Sequence, residues 1–362
     1  MRDQGVQLSR LQAAMRSERT RGAALTAAKA QLRGEAQASD LLAFVGISSH
    51  PSRGTLRSAL RASWFPTGDA LAALERDERV VLRFVLGKAA VDPAVGTFTE
   101  QARRARRAPA AGAPLLTRTR AQDALRLHEL RSAAVAAEMA MYGDIVLVDH
   151  PEAPGDLSGK TLALLEAAVL GFDAAFVVKA DDDVWLSPGA LAAALRARRH
   201  DDRLYLGCLR AGSPLRFAGS AAAHLAVGQA LQFADPEPSV LPYAAGQLYA
   251  LSRPLALHLV DAAPLLRHFG NEDVSMGAWL VGLAADAAHE PRFCCPHCGE
   301  QSAAEPCVAV YQDACAGVCA PEETLPRLSQ LCNATAGAQQ WAASEALLRD
   351  AAAAALAKQA AR

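Results

Sequence analysis

Three observations predict an α/β fold built on a mostly parallel central sheet. Short apolar runs of strand length alternate along the chain with stretches whose leucines and alanines recur at helical spacing. Hydrophobic residues make up 51% of the 362, enough for a sizeable core, although much of that fraction is small, helix-favouring alanine. An acidic cluster, Asp181-Asp182-Asp183, directly follows one of the apolar runs. In parallel sheets that is where ligands bind, beyond the carboxyl ends of the strands.

Taken in order, residues 1–39 read as a polar helical stem with heptad-like leucines (Leu8, Leu11, Leu25, Leu32). A buried strand is expected at Leu41–Ser48, a helix at Thr55–Trp64 and a second strand at Val80–Leu86. Residues 89–121 are of low complexity and read as an irregular insertion. A helix is expected at Asp123–Tyr142, then a strand at Ile145–Val148, a helix at Lys160–Leu170 and a strand at Ala174–Lys179. The main domain is placed at residues 40–290, a Cys-rich extension at 291–335 and an alanine-rich helical tail at 336–362.

Charge and composition narrow the function. The formal net charge of −1 argues against a dedicated nucleic-acid binder. The arginine run Arg103, Arg104, Arg106, Arg107, with Arg118 and Arg120 beyond it, sits among Pro and Gly and reads as a solvated loop ahead of a phosphate-binding tract. No stretch has the roughly 18–20 continuous apolar residues of a membrane helix. The N-terminus has no apolar signal core, so any membrane attachment is expected from an anchor outside this chain.

Seven of the eight cysteines lie between Cys294 and Cys332. With His297 at hand the spacing admits zinc, but disulfides stapling a segment too small for its own core are the preferred reading. Asn333-Ala334-Thr335 is a glycosylation sequon and, with disulfides, points to an oxidising lumen.

Three constellations carry candidate chemistry. Adjacent carboxylates at Asp181–Asp183 are electrostatically costly unless a cation neutralises them, and hard oxygen ligands suit Mg²⁺ or Mn²⁺. The alternative is an acidic turn before the helix near Pro188. Asn271-Glu272-Asp273 reads either as a helix N-terminus or as a carboxylate base for an acceptor hydroxyl. Arg53, Arg57 and Arg61 share one helical face with Trp64 nearby, read as solvated charge or as guanidinium contact with a diphosphate. Gly155-Asp156-Leu157-Ser158-Gly159-Lys160-Thr161 imitates a P-loop but has one residue too few between its glycines.

In order, these pieces resemble the β-1,3-galactosyltransferase family (glycosyltransferase family 31), particularly its plant and algal branch. Arg57 to Trp64 is similar to that family's Arg-x-x-Ile-Arg-x-Thr-Trp motif, and Tyr142-Gly143-Asp144 and Leu157 to Thr161 to two further elements. Lys179 to Val184 is similar to its metal motif, Ala245 to Ser252 to a Gly-Gln-Leu-Tyr strand, Asn271 to Gly277 to its Glu-Asp-Val motif, and Cys294-Cys295 to its adjacent cysteine pair. The resemblance spans about Leu41 to Cys332.

It implies a GT-A nucleotide-sugar fold and inverting transfer of a hexose, galactose from UDP-galactose in β-1,3 linkage, to a glycan or glycoprotein hydroxyl. A relative using UDP-N-acetylglucosamine and a noncatalytic carbohydrate-binding relative are the alternatives. Asp183 and Asp181 would hold Mn²⁺, with His289 a weaker ligand candidate. Arg57, Arg61, Lys160, Asp181, Asp182, Gly246 and Gln247 would contact or position the donor. Asp273 would be the base, with Glu272 the second choice, and Asn333 a glycosylation site. A type II anchored protein of the Golgi lumen is the implied setting. The segment Ser220–Leu241 departs from the family by being alanine-rich and lacking tryptophan, so the acceptor is open.

Overall fold

A computed structural model describes residues 20–27, 41–88, 131–152, 155–210, 242–298, 306–333 and 338–360. The insertion at 89–121, the segment 220–241 and most of the stem therefore lie outside the described residues, and the sequon Asn333-Ala334-Thr335 runs out of them. Residues 20–27 are helical. Leu25 packs against the apolar cluster that contains Phe44 and Val177, and Arg21 pairs with Glu166.

The strands are β1 (Leu41–Ser48), β2 (Val80–Lys88), β3 (Ile145–Pro151), β4 (Ala174–Asp181), β5 (Trp185–Leu186), β6 (Leu204–Arg210), β7 (Tyr243–Ser252), β8 (Asp286–His289) and β9 (Ala309–Val310). Seven form one sheet in the order β3-β2-β1-β4-β7-β6-β8. The pairs β1/β2, β2/β3, β1/β4 and β6/β8 are parallel, and β7 runs antiparallel to both neighbours. The expected mostly parallel α/β sheet is what forms. β5 and β9 make a separate antiparallel pair.

Side chains of the central strands alternate between two layers. Ala43, Val45 and Ile47 of β1 join Phe176, Val178 and Ala180 of β4 in one cluster, while Phe44 and Val177 enter the other. Helices cover both faces, so these strands are apolar on both sides, as parallel strands require. α1 (Gly54–Arg61) buries Leu56 and Leu60; the short α2 (Asp69–Ala73) buries Leu71. α3 (Leu157–Gly171) is capped by Asp156, whose carboxylate accepts from the Gly159 N–H. α4 (Pro188–Arg196) starts with a Ser187 cap and Pro at its first turn. α5 (Arg253–Ala262) and α6 (Glu272–Val281) follow β7.

The chain runs from β1 outward to β2 and β3, then returns through α3 to β4 on the other side of β1. The carboxyl ends of β1 and β4 therefore flank the point where the strand order reverses, the crevice that open α/β sheets use for ligands. Ser48 and Asp181 are register partners there.

The Cys-rich segment is not a separate layer. Val308, Ala309, Val310, Tyr311 and Val318 lie in the same cluster as β1 and β4, joined by Leu325 and Leu328 of α7 (Pro321–Asn333) and Leu348 of α8 (Ala338–Ala360). All eight cysteines are disulfide-bonded, in the pairs 208–294, 295–307, 298–332 and 315–319. Cys208, isolated in the sequence, ties β6 to this segment. No described helix is long and apolar enough to cross a membrane.

The two arginines of α1 are turned inward. Arg57 is fully buried, with Nε and Nη2 donating to the two Glu138 oxygens at 2.8 and 2.6 Å and Nη1 to the His50 carbonyl at 2.7 Å. Arg61 forms a two-pronged pair with Asp144 at 2.7 and 2.8 Å and also reaches Glu138. Both acids belong to the stretch 131–144, which is clamped to α1 by these pairs. Removing one member of a buried ion network strands its partners in a poorly solvating interior. Glu138→Ala should therefore destabilise the protein by about 3–5 kcal/mol, read as a lower urea midpoint.

Candidate active site

The acidic triplet occupies the end of β4 and the turn after it. That turn is fixed from behind: the Trp64 indole donates to the Val184 carbonyl at 2.8 Å, and the Val318 N–H donates to the Asp183 carbonyl at 2.6 Å. The three carboxylates then meet three different fates.

Asp181, a third exposed, accepts from Lys179 Nζ at 2.7 Å. Asp182 is buried and ion-paired with Arg53, whose side chain is half exposed. Asp183 has no ion pair among the described residues, and its Oδ1 is buried with no hydrogen-bond partner. Burial, reinforced by the neighbouring Asp181 and Asp182 charges, pushes its carboxyl up to about 7. A carboxylate so placed is the group a cation would stabilise most.

Lys179 connects this cluster to α6. It is buried, donates to the Gly246 carbonyl of β7, and lies 3.6 Å from Glu272. Burial opposes its charge, but Asp181 and Glu272 outweigh that and hold it protonated, above the usual lysine range. Glu272 is itself buried and accepts from the Tyr249 hydroxyl at 2.6 Å. Burial pushes its carboxyl up, against the pull of Lys179.

Asp273 is the more open of the pair. Its Oδ1 accepts from its neighbour, the Val274 N–H, at 2.8 Å, and burial raises its carboxyl above the ordinary range. Asn271 provides no side-chain cap to α6. Gly246 backs directly onto this helix start: a Cβ there would lie 3.5 Å from Asp273 and Glu272. The triplet and the Asn271 helix thus share one crevice.

Several residues expected to contact or position the donor are engaged inside the protein. Arg57 and Arg61 are engaged by Glu138 and Asp144, and Lys160 by Glu152 at 2.6 Å and the Ser49 carbonyl. Arg57 and Lys160 hold the β1 end and its following turn, Arg61 holds the 131–144 stretch, and all three side chains are buried. Glu272, the second choice as base, is enclosed by Tyr249 and Lys179. The Gln247 amide donates to the Ala316 carbonyl at 2.8 Å. His289 accepts from the Leu209 N–H at 3.0 Å through Nδ1 at the end of β8. The P-loop imitation is excluded locally: Asp156 fills the anion position at the start of α3 with its own carboxylate.

Among the described residues no three His, Cys, Asp or Glu side chains converge as a complete metal shell. One or two carboxylates beside substrate phosphates are what Mg²⁺ and Mn²⁺ sites use, and the unpartnered Asp183 oxygen fits such a cation.

The sequence is similar to known proteins over most of its length. A family model described as Galactosyltransferase matches residues 128–291. "Probable beta-1,3-galactosyltransferase 5" of Arabidopsis thaliana is 28% identical over 80% of this chain and 64% of its own length. "Probable beta-1,3-galactosyltransferase 12" of the same plant is 32% identical over 80% of this chain and 66% of its own length. The chain belongs to the β-1,3-galactosyltransferase family. It spans about two thirds of the length of these relatives. Among solved structures, the galactosyltransferase LgtC in complex with donor and acceptor sugar analogs aligns at 13% identity over 84% of this chain and all of that one, with a TM-score of 0.33.

In this member of the β-1,3-galactosyltransferase family, residues beyond the expected site set also border the acidic cluster and the α6 start. Of the three arginines at 53, 57 and 61, Arg53 is the one whose guanidinium pairs with the acidic triplet. Tyr249 lay in view within the Gly-Gln-Leu-Tyr stretch. Gly317, whose Cα abuts Asp183, had no sequence signal beyond two cysteines four apart. Tyr249→Phe removes the 2.6 Å hydroxyl donor to Glu272, a hydrogen bond to a charged group, and leaves the Thr161 side chain as a remaining donor. A loss of about 1.5–3 kcal/mol in chemical denaturation is expected, without collapse of the fold.

Proposed function

We propose that this chain transfers a hexose, galactose from UDP-galactose, with inversion and in β-1,3 linkage, to a hydroxyl of a glycan or glycoprotein. Mn²⁺ or a similar divalent cation would be held by Asp183 and Asp181. The observation that carries the reading is the buried, unpartnered Oδ1 of Asp183 at the strand-order reversal, two residues from Asp181, which Lys179 links to the helix that bears Asp273. Family membership supports sugar transfer as the reaction class.

A bound divalent cation there supplies positive charge against the diphosphate leaving group. The remaining work falls to the protein's own groups. Lys179 holds Asp181 in place and fixes the start of α6 against β7. Arg53, half exposed beside Asp182, is the guanidinium available to a phosphate oxygen. Asp273 takes the proton of the acceptor hydroxyl, whose oxygen bonds to the anomeric carbon as the carbon–oxygen bond to UDP breaks. The electron pair leaves on the diphosphate, and one displacement inverts the centre. A carboxyl raised by burial is a better-matched base near neutral pH than an ordinary aspartate. Residence in the Golgi lumen behind an N-terminal anchor belongs to the same proposal; four disulfides support an oxidising compartment.

UDP release from UDP-galactose with Mn²⁺, measured across a panel of β-galactoside and hydroxyproline-peptide acceptors, tests the reading. Asp183→Asn should abolish both donor binding and turnover. Asp273→Asn should keep donor binding and lower kcat by roughly 10²–10⁴-fold. Full activity in EDTA would remove the cation from the mechanism.

A further inference from the structure

The loop from Cys315 to Cys319 lies outside the stretch matched by the family model, yet it forms one wall of the acidic site. Its two cysteines are bonded across a separation of four residues. Gln312 holds the loop from within: its N–H donates to the Gly317 carbonyl at 3.0 Å, its carbonyl accepts from Gly317 and Cys315, and its side-chain oxygen accepts from the Cys319 N–H. Ala316 is bent into the left-handed region, φ 53°, which turns its carbonyl to the Gln247 amide of β7. Val318, buried, donates its N–H to the Asp183 carbonyl. Between these two anchors sits Gly317.

Position 317 has no room for a side chain. A Cβ there would fall 2.5 Å from Asp183 Cγ, 2.6 Å from Oδ1 and 2.9 Å from Oδ2. The atoms it would strike are the end of a short side chain that can rotate, not backbone. The carboxylate would therefore swing aside at little cost to folding and lose the orientation the site needs.

We propose that the Cys315–Cys319 loop is a positioning element for the cation and sugar-nucleotide site, and that Gly317 sets the direction of the Asp183 carboxylate. The inference rests on the donor-site reading above and adds to it a determinant from the C-terminal segment. The bridge keeps the loop's carbonyl-out, glycine-in shape, and Gln247 is the strut that carries it to the sheet. Partners that orient a ligating group commonly change metal affinity by about 10–100-fold when altered.

Calorimetric titration of the full chain with Mn²⁺ alone, and with Mn²⁺ and UDP together, tests this. Gly317→Ala should weaken both affinities by about 10–100-fold with an unchanged melting temperature. Cys315→Ser/Cys319→Ser, which opens the loop without adding bulk beside Asp183, should weaken them in the same direction. Gly189→Ala, an addition made into open space, should leave both as in the wild type. Wild-type affinity in Gly317→Ala overturns the proposal, as does weakening that appears only with a matching fall in melting temperature. Should Gly317→Ala not fold, unaltered affinity in the double cysteine variant overturns it. A wild-type protein that binds neither Mn²⁺ nor UDP defeats the donor-site reading itself, and the loop's role with it.

Discussion

Three consecutive carboxylates on one strand end, with two cations to meet them, set the terms for the rest of this structure. Like charges so close cannot all remain ionised away from water unless each is matched. Lys179 matches Asp181 and Arg53 matches Asp182; Asp183 is left over. The surroundings hold that imbalance in place rather than relieving it. Trp64 and Val318 pin the turn through its carbonyls, so the carboxylates cannot retreat by backbone movement. Lys179 belongs at once to the acidic cluster, to the β7 backbone and to Glu272, which makes the distance between strand end and helix start a property of one buried ammonium group.

A second buried network stands behind the first. Arg57, Arg61, Glu138 and Asp144 place two guanidiniums and two carboxylates where water is scarce. Such pairs add little net stability over apolar packing of the same shape. Their geometry is what they contribute: Arg57 grips the Ser49 hydroxyl and the His50 carbonyl, and Lys160 grips the Ser49 carbonyl. The turn leaving β1 is thereby held opposite the acidic turn leaving β4, and the crevice between the two strand ends is kept to one shape.

Much of this was legible in the residues, for reasons that differ by element. Strands β1 and β4 announced themselves because both of their faces are buried, which leaves a nearly unbroken apolar run. The acidic triplet was visible because local repulsion is written in adjacent positions. Partnerships between distant positions were not. Nothing in the spacing of Arg57 and Arg61 reveals that Glu138 and Asp144, some eighty residues on, neutralise them, so arginines that read as solvated charge or as ligand contacts are held in buried ion pairs. Cys208 gave no hint of Cys294 for the same reason, and the C-terminal segment, set apart by its cysteines, turned out to share the main core. The Gly317 contact depends on backbone approach, which leaves no composition signal.

The four bridges are not equivalent in what they do to the unfolded chain. Cys208 and Cys294 are 86 residues apart, and tying so long a loop removes denatured-state freedom worth about 4–5 kcal/mol in the chain-entropy account. Cys315 and Cys319 are four apart, and the same account assigns that tiny ring only about 2 kcal/mol. The long bridge makes disorder expensive everywhere. The short one restricts a handful of dihedrals, and the effect of losing it should be felt as a change of local shape long before it is felt as a loss of the fold.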